Sequence, residues 1–217
     1  MYTAHGIVKP KRLEFDKKNK TSHYGKFIAG PFERGYGVTI GNSLRRMLLS
    51  SIEGAAIVGV KFEGIYHEFS SIPGVLEDVT EIILNLKQVN LQFVGEATDK
   101  RIYLKKDAPG VVTAADITTD PDVVILNPEH PIATIDQNGA LDMEMIVRRG
   151  RGYVPSEKQD MEDESVQMIP IDAIYSPIEK VTYLVEKTRV EQSTDFDQLV
   201  MELWTNGGIT PDDAVAH

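Results

Sequence analysis

The sequence predicts an α+β chain in which two amphipathic helices sit among many short strands. Apolar residues recur at helical spacing in two windows. Almost everywhere else they form short runs that alternate with polar residues and end at Gly, Pro, Asn or Asp. Nothing repeats at a fixed period, which argues against a solenoid or propeller. With 217 residues the chain can bury a core without disulfides or metal, as one domain or as two small ones.

Leu13-Glu14-Phe15 and Tyr24-Gly25-Lys26-Phe27-Ile28 read as two strands separated by the basic stretch from Lys17 to Lys20. The first helix follows within residues 33–51, where Ile40, Leu44, Met47 and Leu48 form an i, i+4, i+7, i+8 stripe. Arg45, Arg46 and Asn42 lie off that stripe, and Leu49 projects among the arginines as an apolar residue on a face expected to meet water. A charged face bearing one Leu suits a protein contact. Ala55 to Phe62 and Ile65 to Phe69 flank Glu63-Gly64, the pattern of a hairpin. The second helix spans Val75 to Val89, with Val75, Val79, Ile82, Ile83 and Leu86 on one face and Glu77, Asp78 and Glu81 toward its positive end.

From Leu91 to Arg149 short strands alternate with turns, and Asn138-Gly139 is the strongest hairpin turn. Glu157 to Glu164 is charge-dense and free of aromatics, so it reads as a solvated loop. Thr182 to Val190 alternates, as do Leu199, Met201 and Leu203 with Val200, Glu202 and Trp204. Both are read as strands, with a short helix the alternative for the second. Thr210-Pro211-Asp212-Asp213 combines a capping Thr, a Pro at the first helical position and two first-turn acids, which together start a helix. The chain stops four residues later, so the natural protein is expected to continue.

Composition excludes several function classes. There is no Cys, hence no disulfide framework, thiolate nucleophile or Cys-ligated metal, which suits a reducing cytoplasm. Lys and Arg number 23 against 33 Asp and Glu, and a net charge of −10 disfavours a chain whose main task is coating a nucleic acid. No apolar run approaches the roughly 18 residues of a membrane span, and the first residues lack a signal-peptide h-region, so a cytosolic chain is expected.

Chemistry-bearing patterns are few. Gly35, Gly37 and Gly41 miss the dinucleotide fingerprint because Ile40 holds the third glycine position. Their i, i+4 spacing instead suits close approach of another backbone to the helix. His5, His23, His67, His130 and His217 are scattered, and Ser71 stands where a zinc-protease helix would need its second His after His67-Glu68. Glu77 and Asp78 are adjacent on a helix and diverge, unlike a catalytic dyad. No cofactor, metal or catalytic residue is therefore assigned. Arg148-Arg149-Gly150-Arg151-Gly152-Tyr153 is the one basic patch, and an RNA-binding module using Arg149 to Tyr153 is the alternative reading.

Long blocks then carry a resemblance: Glu33 to Gly37, Gly41-Asn42-Ser43-Leu44-Arg45-Arg46, His67 to Ser70, Gly74-Val75 and Glu77-Asp78. It continues with Asn85-Leu86-Lys87, Val112 to Ile117, Arg149 to Pro155, Tyr175-Ser176-Pro177 and Val190-Glu191-Gln192. In these blocks and their order the chain resembles the N-terminal part of the bacterial RNA polymerase alpha-subunit family. The resemblance implies a dimerisation subdomain formed by both chain ends, 1–53 and 180–217, with a β-rich subdomain, 54–179, inserted between. It implies a non-catalytic subunit of a DNA-directed RNA polymerase, a nucleotidyltransferase, whose homodimer is the scaffold for the beta and beta-prime subunits in the cytoplasm.

Residue by residue, the resemblance and the apolar stripe together place Tyr36, Ile40, Leu44, Met47 and Leu48 in the dimer interface. Asn42, Arg45, Arg46 and Leu49 fall on the beta-binding face, and Lys87 and Ile171 match positions of beta-prime contact. Val38 and Ser43 replace the commoner His and Ala of the motif. In the family a second dimer helix, a linker and a promoter-binding domain follow Thr210, so no direct DNA contact is expected from this sequence.

Overall fold

The computed structural model describes residues 12–16, 19–161, 164–190 and 193–217. His5, Lys17, Lys18, Glu191 and Gln192 lie outside the described residues, as do Glu162 and Asp163 of the acidic loop. In chain order the elements begin with β1 (Arg12–Phe15), β2 (Tyr24–Glu33), α1 (Tyr36–Ser51), β3 (Glu53–Phe62) and α2 (Val79–Leu86). They continue with β4 (Leu91–Phe93), β5 (Asp99–Lys106), β6 (Gly110–Thr113), β7 (Ile117–Thr118), β8 (Val123–Ile125) and β9 (Pro131–Ile135). Next come β10 (Leu141–Arg151), β11 (Tyr153–Val154), β12 (Ile169–Pro170) and β13 (Ala173–Ile174). The chain closes with β14 (Ile178–Val190), β15 (Ser193–Thr205) and α3 (Pro211–Ala216). The fold is α+β, and it divides into two compact units: Met1–Ile52 with Pro177–His217, and Glu53–Ser176.

The first unit is an antiparallel sheet in the order β1-β2-β15-β14. Alternation along β15 puts Asp197, Leu199, Met201, Leu203 and Thr205 on one buried face. That face forms the core with Phe27, Val181, Leu48 and Ile52. Both helices of the unit pack on it: α1 meets β14 and β15 and α3 meets β15 and β2. Thr210 caps α3 by accepting the Asp213 N–H at 3.3 Å, with Pro211 at its first position. On the sheet face opposite Leu203, Trp204 meets Tyr24 in a tilted ring contact with centroids 5.1 Å apart, under the Lys180 ammonium at 4.6 Å.

The second unit is built on a larger sheet in the order β7-β5-β10-β3-β4-β8, with β12 also paired to β3. One face packs against α2 and the β6–β9 pair, centred on Val60, Phe62, Ile82, Leu86, Ile102, Leu104, Met143 and Met145. The other face, carrying Ala56, Val58 and Ile146, is covered by Met168, Ala173 and Tyr175.

Four local expectations are corrected here. Ile65 to Phe69 is not a strand: both edges of β3 are occupied, by β10 on one side and by β4 and β12 on the other. The second helix starts at Val79 rather than Val75, because the residues before it bond elsewhere. Leu76 N–H reaches Thr134 O at 2.9 Å, and the Glu77 carboxylate accepts the Thr134 N–H at 2.6 Å. Asp78 then caps the helix, accepting from Glu81 N at 2.7 Å in a reciprocal capping box.

Asn138-Gly139 does not close a hairpin, since β9 pairs with β6 while β10 pairs with β3 and β5. Gly139 serves close approach instead, for a Cβ there would sit 2.0 Å from the Gly74 carbonyl oxygen. The acidic loop is not uniformly solvated either. The Glu164 side chain is nearly buried and ion-paired to Arg101 and Arg148.

Candidate functional site

Helix α1 is placed by its glycines. Gly37 and Gly41 are buried one turn apart, and a Cβ at Gly41 would lie 2.6 Å from Tyr183 Cδ2 and 2.8 Å from Leu199 Cδ1. At Gly37 the neighbour would be Val185 Cγ1 at 2.8 Å. The close approach anticipated for this spacing is therefore used within the chain, against side chains of β14 and β15.

That contact rotates α1 so that its buried side runs through Gly37, Gly41 and Leu48, with Ile40 and Leu44 half-buried beside them. Tyr36 and Met47 share the edge next to Ile40 at about 100° per residue, and they are 48% and 59% exposed. Leu48 departs from its sequence reading as a seam residue, being only 5% exposed and part of its own unit's core. Leu49 departs too: it is half-buried and packed on that core, so it does not stand out among the arginines. Sequence reasoning missed Val38, an exposed apolar residue on the Arg45 side of the helix.

On that second edge Asn42, Arg45 and Arg46 are exposed. Arg45 Nε donates to the Val181 carbonyl at 3.2 Å, which ties it to β14. The Arg46 guanidinium has no ion pair or hydrogen bond among the described residues, and its backbone carbonyl accepts from Ser50 Oγ at 2.7 Å.

The start of α1 lacks local capping. Gly35 precedes it at φ 90°, with no side chain, and its first turn holds no acid. Asp197 of β15 supplies the carboxylate: Oδ2 accepts the Gly35 N–H at 2.7 Å and Oδ1 pairs with Lys187 Nζ at 2.8 Å. The Lys187 ammonium, and then the Gly35 N–H, hold its carboxyl below the usual carboxylate range. The missing cap before α1 was the only sequence signal for it.

Lys87 and Ile171 converge in the second unit in an unexpected form. Ile171 is 2% exposed, packed in the main core, so it is not itself a surface for a partner. Its neighbour Asp172 pairs with Lys87 at 3.0 Å and accepts the Ser156 N–H at 2.8 Å. The Ser156 N–H, and then Lys87, keep the Asp172 carboxyl below its ordinary range.

The basic patch is occupied from within. Arg148 Nε binds Asp99 at 2.7 Å, Arg149 donates to Gly95 O at 2.8 Å and lies over the Phe93 ring, and Arg151 binds Glu53 at 2.6 Å. These pairings leave the RNA-binding alternative without a free arginine cluster. Two histidines are likewise engaged: His67 with Ser70 Oγ at 3.0 Å and His130 with the Asn85 carbonyl at 3.0 Å. Among the described residues no helix is long and apolar enough to cross a membrane.

Comparison with known proteins places this geometry. The family model for the RNA polymerase Rpb3/RpoA insert domain matches residues 60–176, within the second unit. A DNA-directed RNA polymerase subunit alpha of Geobacter metallireducens is 56% identical over 211 residues, covering 97% of this chain and 62% of the relative. Subunits of the same name from Moorella thermoacetica and Desulforudis audaxviator are 53% and 51% identical, each over 97% of this chain and 66% of the relative. The chain thus spans less than two thirds of the length of these relatives. With a family model across its second unit and such identity through both, the chain belongs to the DNA-directed RNA polymerase alpha-subunit family.

Proposed function

We propose that this chain is a non-catalytic, cytoplasmic assembly scaffold of RNA polymerase whose two copies pair and then hold the beta and beta-prime subunits. The observation that carries this reading is the division of α1 into two unlike exposed edges. Tyr36 and Met47, beside half-buried Ile40 and Leu44, form an apolar edge suited to a second copy of the first unit, with Leu48 anchoring them from below. The discontinuous first unit is accordingly the dimerisation subdomain, and the second unit is the insert. On the other edge Asn42, Arg45 and Arg46, above half-buried Leu49, face the beta subunit. An arginine whose guanidinium has no partner among the described residues suits bidentate bonding to carboxylates or carbonyls of that subunit. Lys87, paired with Asp172 next to the buried Ile171 in the chain, is the beta-prime contact.

Reconstitution with purified beta subunit tests the face assignment. Loss of a desolvated interface arginine costs about 2 kcal/mol, so Arg46→Ala is expected to weaken beta binding roughly 30-fold while sedimentation still reports dimer. Normal beta binding by Arg46→Ala would show that the face is wrong.

A further inference from the structure

We infer that Asp197 is a positioning residue for subunit contact: a buried carboxylate on β15 that sets where α1 begins and how it is rotated. The inference rests on reading α1 as the contact helix, and its own support is independent of that reading. Asp197 is 2% exposed, on the strand face where Leu199, Met201 and Leu203 follow it before Thr205. A carboxylate is expensive in such a row unless both oxygens are satisfied. They are satisfied on two different elements, Gly35 at the head of α1 and Lys187 on β14. The remainder of the helix seat is made by Gly37 and Gly41 against Val185, Tyr183 and Leu199. A glycine-lined seat brings the helix close but has no side-chain knobs to stop it sliding or turning. The directional bond from Gly35 to Asp197 provides that stop.

The placement matters because α1 carries both proposed contact edges on one rigid rod. A turn that tilted Tyr36 and Met47 inward would swing Arg46 off its partner as well. Asp197 acts on association through α1, without touching a partner itself. Lys187, whose side chain is 64% exposed, contributes charge balance and not helix placement.

The test compares Asp197→Ala, Asp197→Asn and Lys187→Gln by hydrogen exchange and by association with purified beta subunit. A hydrogen bond to a charged acceptor is lost in Asp197→Ala, so exchange at the Gly35 and Gly37 amides is expected to rise about tenfold, and beta binding to fall by a similar factor. Exchange along β10 of the second unit stays at the wild-type rate. Asp197→Asn keeps an acceptor of the same shape and is expected to hold binding within about threefold, as is Lys187→Gln. Unchanged first-turn exchange in Asp197→Ala would overturn the inference. A tenfold binding loss in Asp197→Asn would overturn it as well, even if Asp197→Ala did not fold. If the wild-type protein bound no beta subunit, the proposed function would fall, while the exchange comparison would still decide whether Asp197 holds the start of α1.

Discussion

Lys87 and Asp172 stand 85 positions apart in the chain, and their charged groups meet 3.0 Å apart. Lys87 is the C-cap of α2, where a cation also answers the negative end of the helix. Asp172 simultaneously holds the Ser156 N–H, so a single carboxylate joins the end of α2 to the start of a 3₁₀ turn at Ser156–Lys158.

Acid should therefore loosen the second unit partly through Asp172. Its folded-state pKa is lowered, so its contribution is fully present above the unfolded value of about 4 and is lost as pH falls through the folded value. Asp172→Asn should be less stable than wild type at neutral pH. The difference in urea midpoint should shrink as pH falls below about 4, and a difference independent of pH would contradict the assignment.

Gly41→Ala should destabilise the first unit by about 1–3 kcal/mol, the usual cost of overpacking. The new methyl would press on the Tyr183 ring and on Leu199 Cδ1, both inside ordinary contact distance. Urea denaturation followed by Trp204 fluorescence reads this unit, since the only Trp lies on its sheet.

Gly74→Ala should be more damaging than an ordinary surface substitution, by about 2 kcal/mol or more. The residue has φ 75°, and a Cβ there would lie 2.4 Å from the Gly139 Cα, where backbone cannot yield as a side-chain tip can. Thermal unfolding of the variant checks it, with Gly64→Ala as control: Gly64 has φ 74° but open space around its Cβ position.

Met47→Asp should shift the protein toward monomer in sedimentation while leaving its circular dichroism unchanged. Met47 is exposed in the single chain, so a carboxylate there is solvated in the monomer and desolvated only in an apolar seam. Unaltered self-association would remove Met47 from the proposed interface.

Local patterns settled the elements whose cause is local. The i, i+4, i+7, i+8 spacing marks α1, alternation marks β14 and β15, and Thr210-Pro211 starts α3, because side-chain period and capping depend on nearest neighbours along the chain. Long blocks from Glu33 to Gln192 were enough to suggest the family. Tertiary structure alone decided which strand pairs with which, so that Ile65 to Phe69 lost its place beside β3 and Asn138-Gly139 became a seat for Gly74. It also decided depth. Period gives the side of a helix but not how far the neighbouring sheet climbs around it, and so Leu48 and Leu49 lie deeper than their spacing implies, while Ile171, singled out by resemblance alone, proves to be a core residue. Asp197 and Asp172 were illegible for the same reason, since each carboxylate finds its use in backbone amides brought to it only by folding.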